Sequence, residues 1–228
     1  MVKSDQKHRL SLAFKAVFII LCALGIFLNF ADFDTPVMMT LSYYTIQSNI
    51  ACLILMVIWF IREWRGIAPS RRLSQIKGGF TVMIFLTFLV YHVLLRPVLR
   101  DYNIDYDGSN VSNILVHYVS PLLMMLDHFL FDQKPLFQKA DPFRFLIIPF
   151  LYWIYTLIYA AFGGLFIIGL AVSRYPYFFL DFENQGFFTV MLWVMAIVVI
   201  YLLIGFGFVL ADKWILLARK RINENAKD

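Results

Sequence analysis

Residues 187–210 read FFTVMLWVMAIVVIYLLIGFGFVL, with no charged side chain. A helix of about 20 mostly apolar residues crosses the hydrocarbon core of a bilayer. This stretch therefore reads as a membrane span. Working back along the chain, residues 13–30, 41–61, 77–95, 112–131 and 145–172 read the same way. The stretch 145–172 is long enough to tilt or to hold a break. A β-barrel reading fails, because transmembrane strands alternate in short segments and these runs are unbroken. The expected fold is all-α: a polytopic bundle of six transmembrane helices in a single domain, residues 1–228.

Composition agrees. The chain is 61% hydrophobic and 15% charged, with mean hydropathy +0.73. An ordinary soluble domain is about half apolar and about a quarter charged. This excludes a disordered chain, a nucleic-acid-binding domain and a disulfide-stapled module. Cys22 and Cys52 sit inside apolar runs and read as packing residues. Lys3, Lys7, Arg9 and Lys15 precede the first run as in a signal peptide. No small-residue cleavage site follows, and Asp32 and Asp34 come next, so the run is expected to stay as the first helix.

Lys and Arg set the orientation. With a cytoplasmic N-terminus, 17 of the 20 fall on the inner side: in the N-terminal segment, the second-to-third and fourth-to-fifth connections, and the tail. Arg96, Arg100 and Arg174 fall outside, with Asp32, Asp34, Asp101, Asp105, Asp107, Asp181 and Glu183. Both termini are thus expected in the cytoplasm. Ala160, Gly163, Gly164, Gly205 and Gly207 suggest close helix packing. Asn110-Val111-Ser112 matches the glycosylation pattern but lies at the membrane edge.

Polar side chains in a bilayer are costly and face the bundle interior. Thr45, Ser48 and Asn49 share one face of the second helix. His92 and Arg96 lie four apart in the third, and His117, Asp127 and His128 stand in the fourth. At 1.5 Å per residue, Thr45, His92 and His117 each lie roughly 6–8 Å below the outer edge. A Thr hydroxyl needs a base to take its proton, and histidine supplies one near neutral pH. Ser48, Asn49 or His92 are candidate oxyanion donors, and Arg96 is a candidate for a substrate carboxylate. Structural readings stand beside these. Thr45 could bond back to the Leu41 carbonyl, and either histidine could hydrogen-bond a neighbouring helix. A metal site lacks a third ligand at that depth. Asp127 suits a structural pairing with Arg62 or Arg144, or a proton pathway. Residues 173–181 read either as an aromatic belt or as a lid over an outer pocket.

Three motifs occur in order: Tyr43-Tyr44-Thr45-Ile46-Gln47-Ser48-Asn49, His117-Tyr118-Val119-Ser120-Pro121 followed by Asp127, and Tyr175-Pro176-Tyr177-Phe178-Phe179-Leu180-Asp181. Together they resemble the androgen-induced gene family, in its bacterial six-helix branch. Characterised animal members are integral membrane hydrolases that cleave fatty acid esters of hydroxy fatty acids with a Thr and a His. The resemblance implies Thr45 as nucleophile and His117 as base.

The expected function is therefore an integral membrane lipid esterase with an outer-leaflet pocket. The alternatives are a non-catalytic lipid or fatty-acid binding or transport protein, and a membrane scaffold. With no phosphate-binding glycine loop, H-E-x-x-H or G-x-S-x-G, no cofactor is expected. The expected partners are a lipid substrate and membrane lipids, and not nucleic acid. The expected location is a bacterial plasma membrane.

Overall fold

The computed structural model describes residues 2–31, 35–102, 108–134, 136–168 and 171–225. Asp32, Asp34, Asp105 and Asp107, used above for orientation, lie outside the described residues. Six helices among them are long and apolar enough to cross a membrane: Asp5–Phe30, Tyr44–Trp64, Arg71–Arg100, Val111–Phe131, Asp141–Ala161 and Phe182–Ile222. The chain is a multi-pass helical membrane protein.

The elements are α1 (Val2–Phe30), a short α2 (Val37–Ser42), α3 (Tyr44–Trp64) and α4 (Arg71–Val90). A π-helical turn, Tyr91–Leu95, joins α4 to α5 (Arg96–Tyr102). A second π-helical turn, Leu115–Val119, joins α6 (Val111–Ile114) to α7 (Ser120–Phe131). Then come α8 (Asp141–Phe145), α9 (Ile147–Ala161) and α10 (Phe182–Asn225), the last kinked at Gly186, whose φ of 74° is not helical. Between α9 and α10 lies an antiparallel hairpin, β1 (Phe166–Ile168) with β2 (Ala171–Ser173).

Two expected boundaries change. The second span does not begin at Leu41: Tyr43 is extended (ψ 135°) and separates α2 from α3. Its ring turns instead into an aromatic contact with Phe166, 5.2 Å between centroids. The stretch 145–172 is not one span either. Its helix stops at Ala161, Gly163 takes a left-handed φ of 81°, and the apolar residues beyond form the hairpin. Gly163 and Gly164 therefore make a turn, while Gly205 lies close against Pro142 as a helix-packing glycine.

α1, α3, α4 and α7 pack against one another around Phe18, Cys22, Cys52, Met56, Ile84 and Met124. α10 closes on α4 and α8. Span Asp141–Ala161 is peripheral, with only 11% of its apolar window buried. Hydroxyls tie its far end to the rest: Tyr152 Oη donates to the Ser42 carbonyl (3.0 Å), and Tyr155 Oη meets Ser42 Oγ at 2.7 Å.

At the end of the bundle where α1 begins and α10 finishes, buried charges link four spans. Asp127 does not pair with Arg62 or Arg144. It lies 2.9 Å from Lys15 Nζ and in contact with Lys77 Nζ. Arg62 instead donates to the Ala68 carbonyl, and Arg144 to Asp141. Lys77 also reaches Asp132 Oδ1 at 2.6 Å. His128 sits between Asp132 and Asp212, 3.0 Å from each. Asp212 accepts from Lys134 (2.7 Å) and from the Leu136 and Phe137 amides. A buried charge is costly unless it is paired, and Lys15, Lys77, Lys134, Asp127, Asp132 and Asp212 each face an opposite charge within 3.0 Å.

Candidate active site

Thr45 lies in the first turn of α3. Because the chain is extended at Tyr43, Thr45 has no helical carbonyl four residues back to bond. The Leu41 carbonyl accepts from Gln47 Nε2 instead. The Thr45 hydroxyl faces across to the fourth span, where Oγ1 is 3.2 Å from His117 Nε2.

The histidine tautomer follows from its other side. His117 Nδ1 is 3.1 Å from the Asn113 backbone carbonyl. A carbonyl can only accept, so Nδ1 carries the proton. Nε2 of the neutral ring then has a lone pair, which accepts the Thr45 hydroxyl proton. Hydroxyl, imidazole and carbonyl acceptor thus stand in line, an arrangement that can activate a hydroxyl. The Tyr91 ring stacks on the imidazole at 3.6 Å and fixes its plane.

The π turns make this possible. π-helical turns are rare, occur mostly as single turns inside α-helices and gather at functional sites. One carries His117 and the other carries Tyr91 and His92. The turn at 115–119 packs tightly on α1, where a Cβ added at Gly25 would stand 2.8 Å from Leu115 Cβ. Asn49 ties the same turn to α3. Its side-chain amide donates both hydrogens, to the Thr45 carbonyl (2.8 Å) and the Val116 carbonyl (3.0 Å). Ser48 Oγ donates to the Thr45 carbonyl (2.9 Å), and Thr87 Oγ1 lies 3.0 Å from it.

The structure therefore brings Thr45, His117, Ser48 and Asn49 together. The donors of Ser48 and Asn49 are committed to backbone carbonyls, so these two hold the site's shape. His92 and Arg96 stand elsewhere. His92 is exposed and stacked on Phe88. His92 Nδ1 and Arg96 Nη1 both meet the Tyr118 hydroxyl, at 3.1 and 3.3 Å. The π turn directs Tyr91, not His92, at the His117 ring.

A cavity of about 460 Å³ opens beside Thr45, between α4, α9 and α10. Its walls are almost wholly apolar, with Leu86, Val90, Trp153, Ile197 and Val198 among them. Segment 177–180 covers one end, with Tyr177, Phe179 and Leu180 all buried and lining the cavity. This much of the lid reading is visible. Asp181 anchors the segment by capping the short helical turn that precedes the kink at Gly186: its carboxylate accepts from the Glu183 and Asn184 amides, Asn184 Nδ2 and Ser173 Oγ. Burial raises the Asp181 pKa, but these hydrogen bonds outweigh that effect and hold it below the usual carboxylate range.

Sequence reasoning missed Tyr152 and Trp153, and placed Tyr177 in the belt or lid segment without a role beside Thr45. The Tyr152 and Tyr177 hydroxyls each accept from the Tyr44 amide at 3.1 Å, so two side chains from distant segments cap the start of α3. The Tyr177 hydroxyl also interacts with Thr45, and burial pushes its phenol pKa up, keeping it a neutral donor. Tyr44 Oη and Trp153 Nε1 are buried without a hydrogen-bond partner among the described residues, and both side chains line the cavity. Buried polar atoms are normally satisfied, and a bound molecule with acceptor oxygens would satisfy these. No family model, curated protein or solved structure matches this chain.

Proposed function

We propose that this protein is an integral membrane lipid esterase, with Thr45 as nucleophile and His117 as general base. The supporting observation is the aligned set Thr45 Oγ1, His117 Nε2–Nδ1 and Asn113 carbonyl beside an apolar cavity. The ester carbonyl approaches Thr45 from the cavity. His117 Nε2 takes the hydroxyl proton as Oγ1 bonds to the carbonyl carbon. The carbon–oxygen bond to the alcohol then breaks, and the proton on Nε2 passes to the departing oxygen. Water repeats the sequence: it gives a proton to Nε2, attacks the acyl carbon, and the fatty acid leaves as Thr45 regains its proton.

The negative charge that develops on the carbonyl oxygen lies near the positive end of the α3 dipole and the Tyr177 hydroxyl. Removing one oxyanion donor typically lowers kcat about 100- to 1,000-fold. Tyr177→Phe is accordingly expected to lower kcat by about 100-fold with little change in KM. Steady-state kinetics on a soluble chromogenic ester measures both.

With 17 of 20 basic residues on the terminal side, the positive-inside rule puts both termini in the cytoplasm and Thr45 in the outer leaflet. A lipid then reaches the cavity sideways, past the weakly packed α9. The same cavity would serve a protein that only binds or transports lipid, and covalent chemistry separates the two. Purified protein in nanodiscs, quenched in acid during turnover of a long-chain ester, is expected to show the acyl mass on the Thr45 peptide. Bound lipid with no adduct on any residue, and no free acid released, would favour the binding reading.

A further inference from the structure

His128 is fully buried and takes no part in the reaction proposed above. Asp132 Oδ2 stands 3.0 Å from its Nδ1. Burial raises the Asp132 pKa, but Lys77 and His128 outweigh that effect and hold it below the usual carboxylate range. A carboxylate only accepts, so Nδ1 carries a proton in either charge state of the ring. Nε2 is contested. Lys134 Nζ lies 2.8 Å from it and Asp212 Oδ1 3.0 Å, and these two lie 2.7 Å from each other. A lone pair on Nε2 accepts from Lys134, whereas a proton there is donated to Asp212. A protonated ring and an ammonium at this separation are like charges in a buried site, so the second arrangement drives Lys134 away.

The surrounding charge favours the extra proton. With His128 neutral, Lys15, Lys77 and Lys134 face Glu63, Asp127, Asp132 and Asp212, three cations against four anions. A protonated His128 balances the set. His8 is a further titratable neighbour, exposed and 3.6 Å from Glu63. Phe129, Phe137 and Phe208 pack their rings around the imidazole. Among the groups that face His128, only Lys134 opposes the proton at close range, and its own hold is weakened: burial lowers the Lys134 pKa and Asp212 restores it only in part.

Lys134 belongs to the connection between the fourth and fifth spans. The Leu136 and Phe137 amides donate to Asp212 Oδ2 at 2.8 and 3.2 Å, and both side chains are buried. Phe137 packs where a Cβ at Gly78 would stand. The Gln138 amide donates to Asp141, the first residue of α8 (2.8 Å). Phe143 and Arg144 of α8 line the cavity. We infer that His128 is a proton-binding site that controls this connection: a proton taken up at Nε2 replaces the Lys134 hydrogen bond with one to Asp212, and the displaced Lys134 loosens residues 134–138 and the α8 wall of the cavity. Lys134 keeps its own proton and turns toward water, so the released form holds one proton more than the latched form. Acid therefore favours release and alkali favours the latch. The inference stands apart from the esterase reading, since it uses neither Thr45 nor His117.

The test uses the full chain in nanodiscs over about pH 5–8, the range in which histidine changes charge. The chain has four histidines, so isotopically labelled histidine gives few NMR signals, and the His128 ring is the one that Lys134→Met displaces. That ring is expected to pass from an Nε2 lone pair to the doubly protonated form as the pH falls. Over the same range, hydrogen–deuterium exchange at 134–146, corrected for its intrinsic pH dependence, is expected to quicken about tenfold or more, with α3 unchanged. Lys134→Met leaves no ammonium to displace, so the His128 midpoint is expected to move to higher pH and the exchange response to vanish. His128→Gln is expected to abolish that response as well; should it fail to fold, the parent and Lys134→Met decide. A His128 ring that keeps one charge state throughout would overturn the inference. So would exchange at 134–146 that follows the intrinsic rate alone, or a response that survives in His128→Gln.

Discussion

Thr45→Ala is expected to remove ester hydrolysis, lowering kcat by about 10⁴-fold or more, and His117→Ala is expected to do the same. In the proposed mechanism the two residues act as a unit. Without the base the hydroxyl stays protonated and inert, and without the hydroxyl there is nothing to acylate. The double variant should therefore be no worse than either single one, because losses within such a unit are far from additive. Thr45→Ser keeps an oxygen in the same place and is expected to retain measurable turnover. Release of free fatty acid from a long-chain ester, followed in nanodiscs, gives all four values. Turnover at the parent rate in Thr45→Ala would remove Thr45 as nucleophile. Equal losses in Thr45→Ser and Thr45→Ala would mean that the site tolerates no change at all there. Acylation of the peptide that carries the Thr45→Ser substitution would then decide.

The largest effect on stability is expected at the opposite end of the bundle. Asp127 is fully buried between Lys15 and Lys77. Asp127→Ala leaves both ammonium groups short of a counter-charge, and removing one partner of a buried pair costs about 3–5 kcal/mol. Lys15 keeps Glu63 at 3.1 Å and Lys77 keeps Asp132, so the protein should fold but unfold earlier. Replacing both members, as in Lys77→Met with Asp127→Leu, is expected to cost less than Asp127→Ala alone, because apolar pairs often substitute for buried ion pairs without loss. Thermal unfolding in a mild detergent measures the difference. A midpoint unchanged in Asp127→Ala would show that the cluster contributes nothing to stability.

The spans are legible in the sequence because the cost of an exposed backbone in lipid forces long apolar helices, and 187–210 admits no other reading. Thr45 and His117 are legible by depth along their helices. Whether their faces meet is not, because that depends on rotation about the helix axis. The extended residue Tyr43 and the π turn at 115–119 set that rotation, and neither leaves a mark in hydropathy. The same blindness puts His92 beside His117 on paper, whereas Tyr91 holds that position in the fold. Asp127 plainly needs a partner, but arginines near the ends of spans are the wrong place to look. The better signal is Lys15 and Lys77, basic residues inside the ends of otherwise apolar helices, where a lysine must itself find an acid. The hairpin at 166–173 hides for a different reason. Its residues are as apolar as the span before them, and only Gly163-Gly164 marks the change.

The ionic cluster also bears on how the chain is made. Lys15, Lys77, Asp127 and Asp212 belong to four different spans, and an ionisable side chain inside a span needs a partner from another helix. Lys15 meets Glu63 of the second span early, whereas Lys77 has its acids, Asp127 and Asp132, only once the fourth span has been made. His128 and Lys134 then wait for Asp212, which comes last. The final span thus closes the cluster: a nascent chain halted before residue 212 still lacks the acid that meets Lys134 and His128 Nε2.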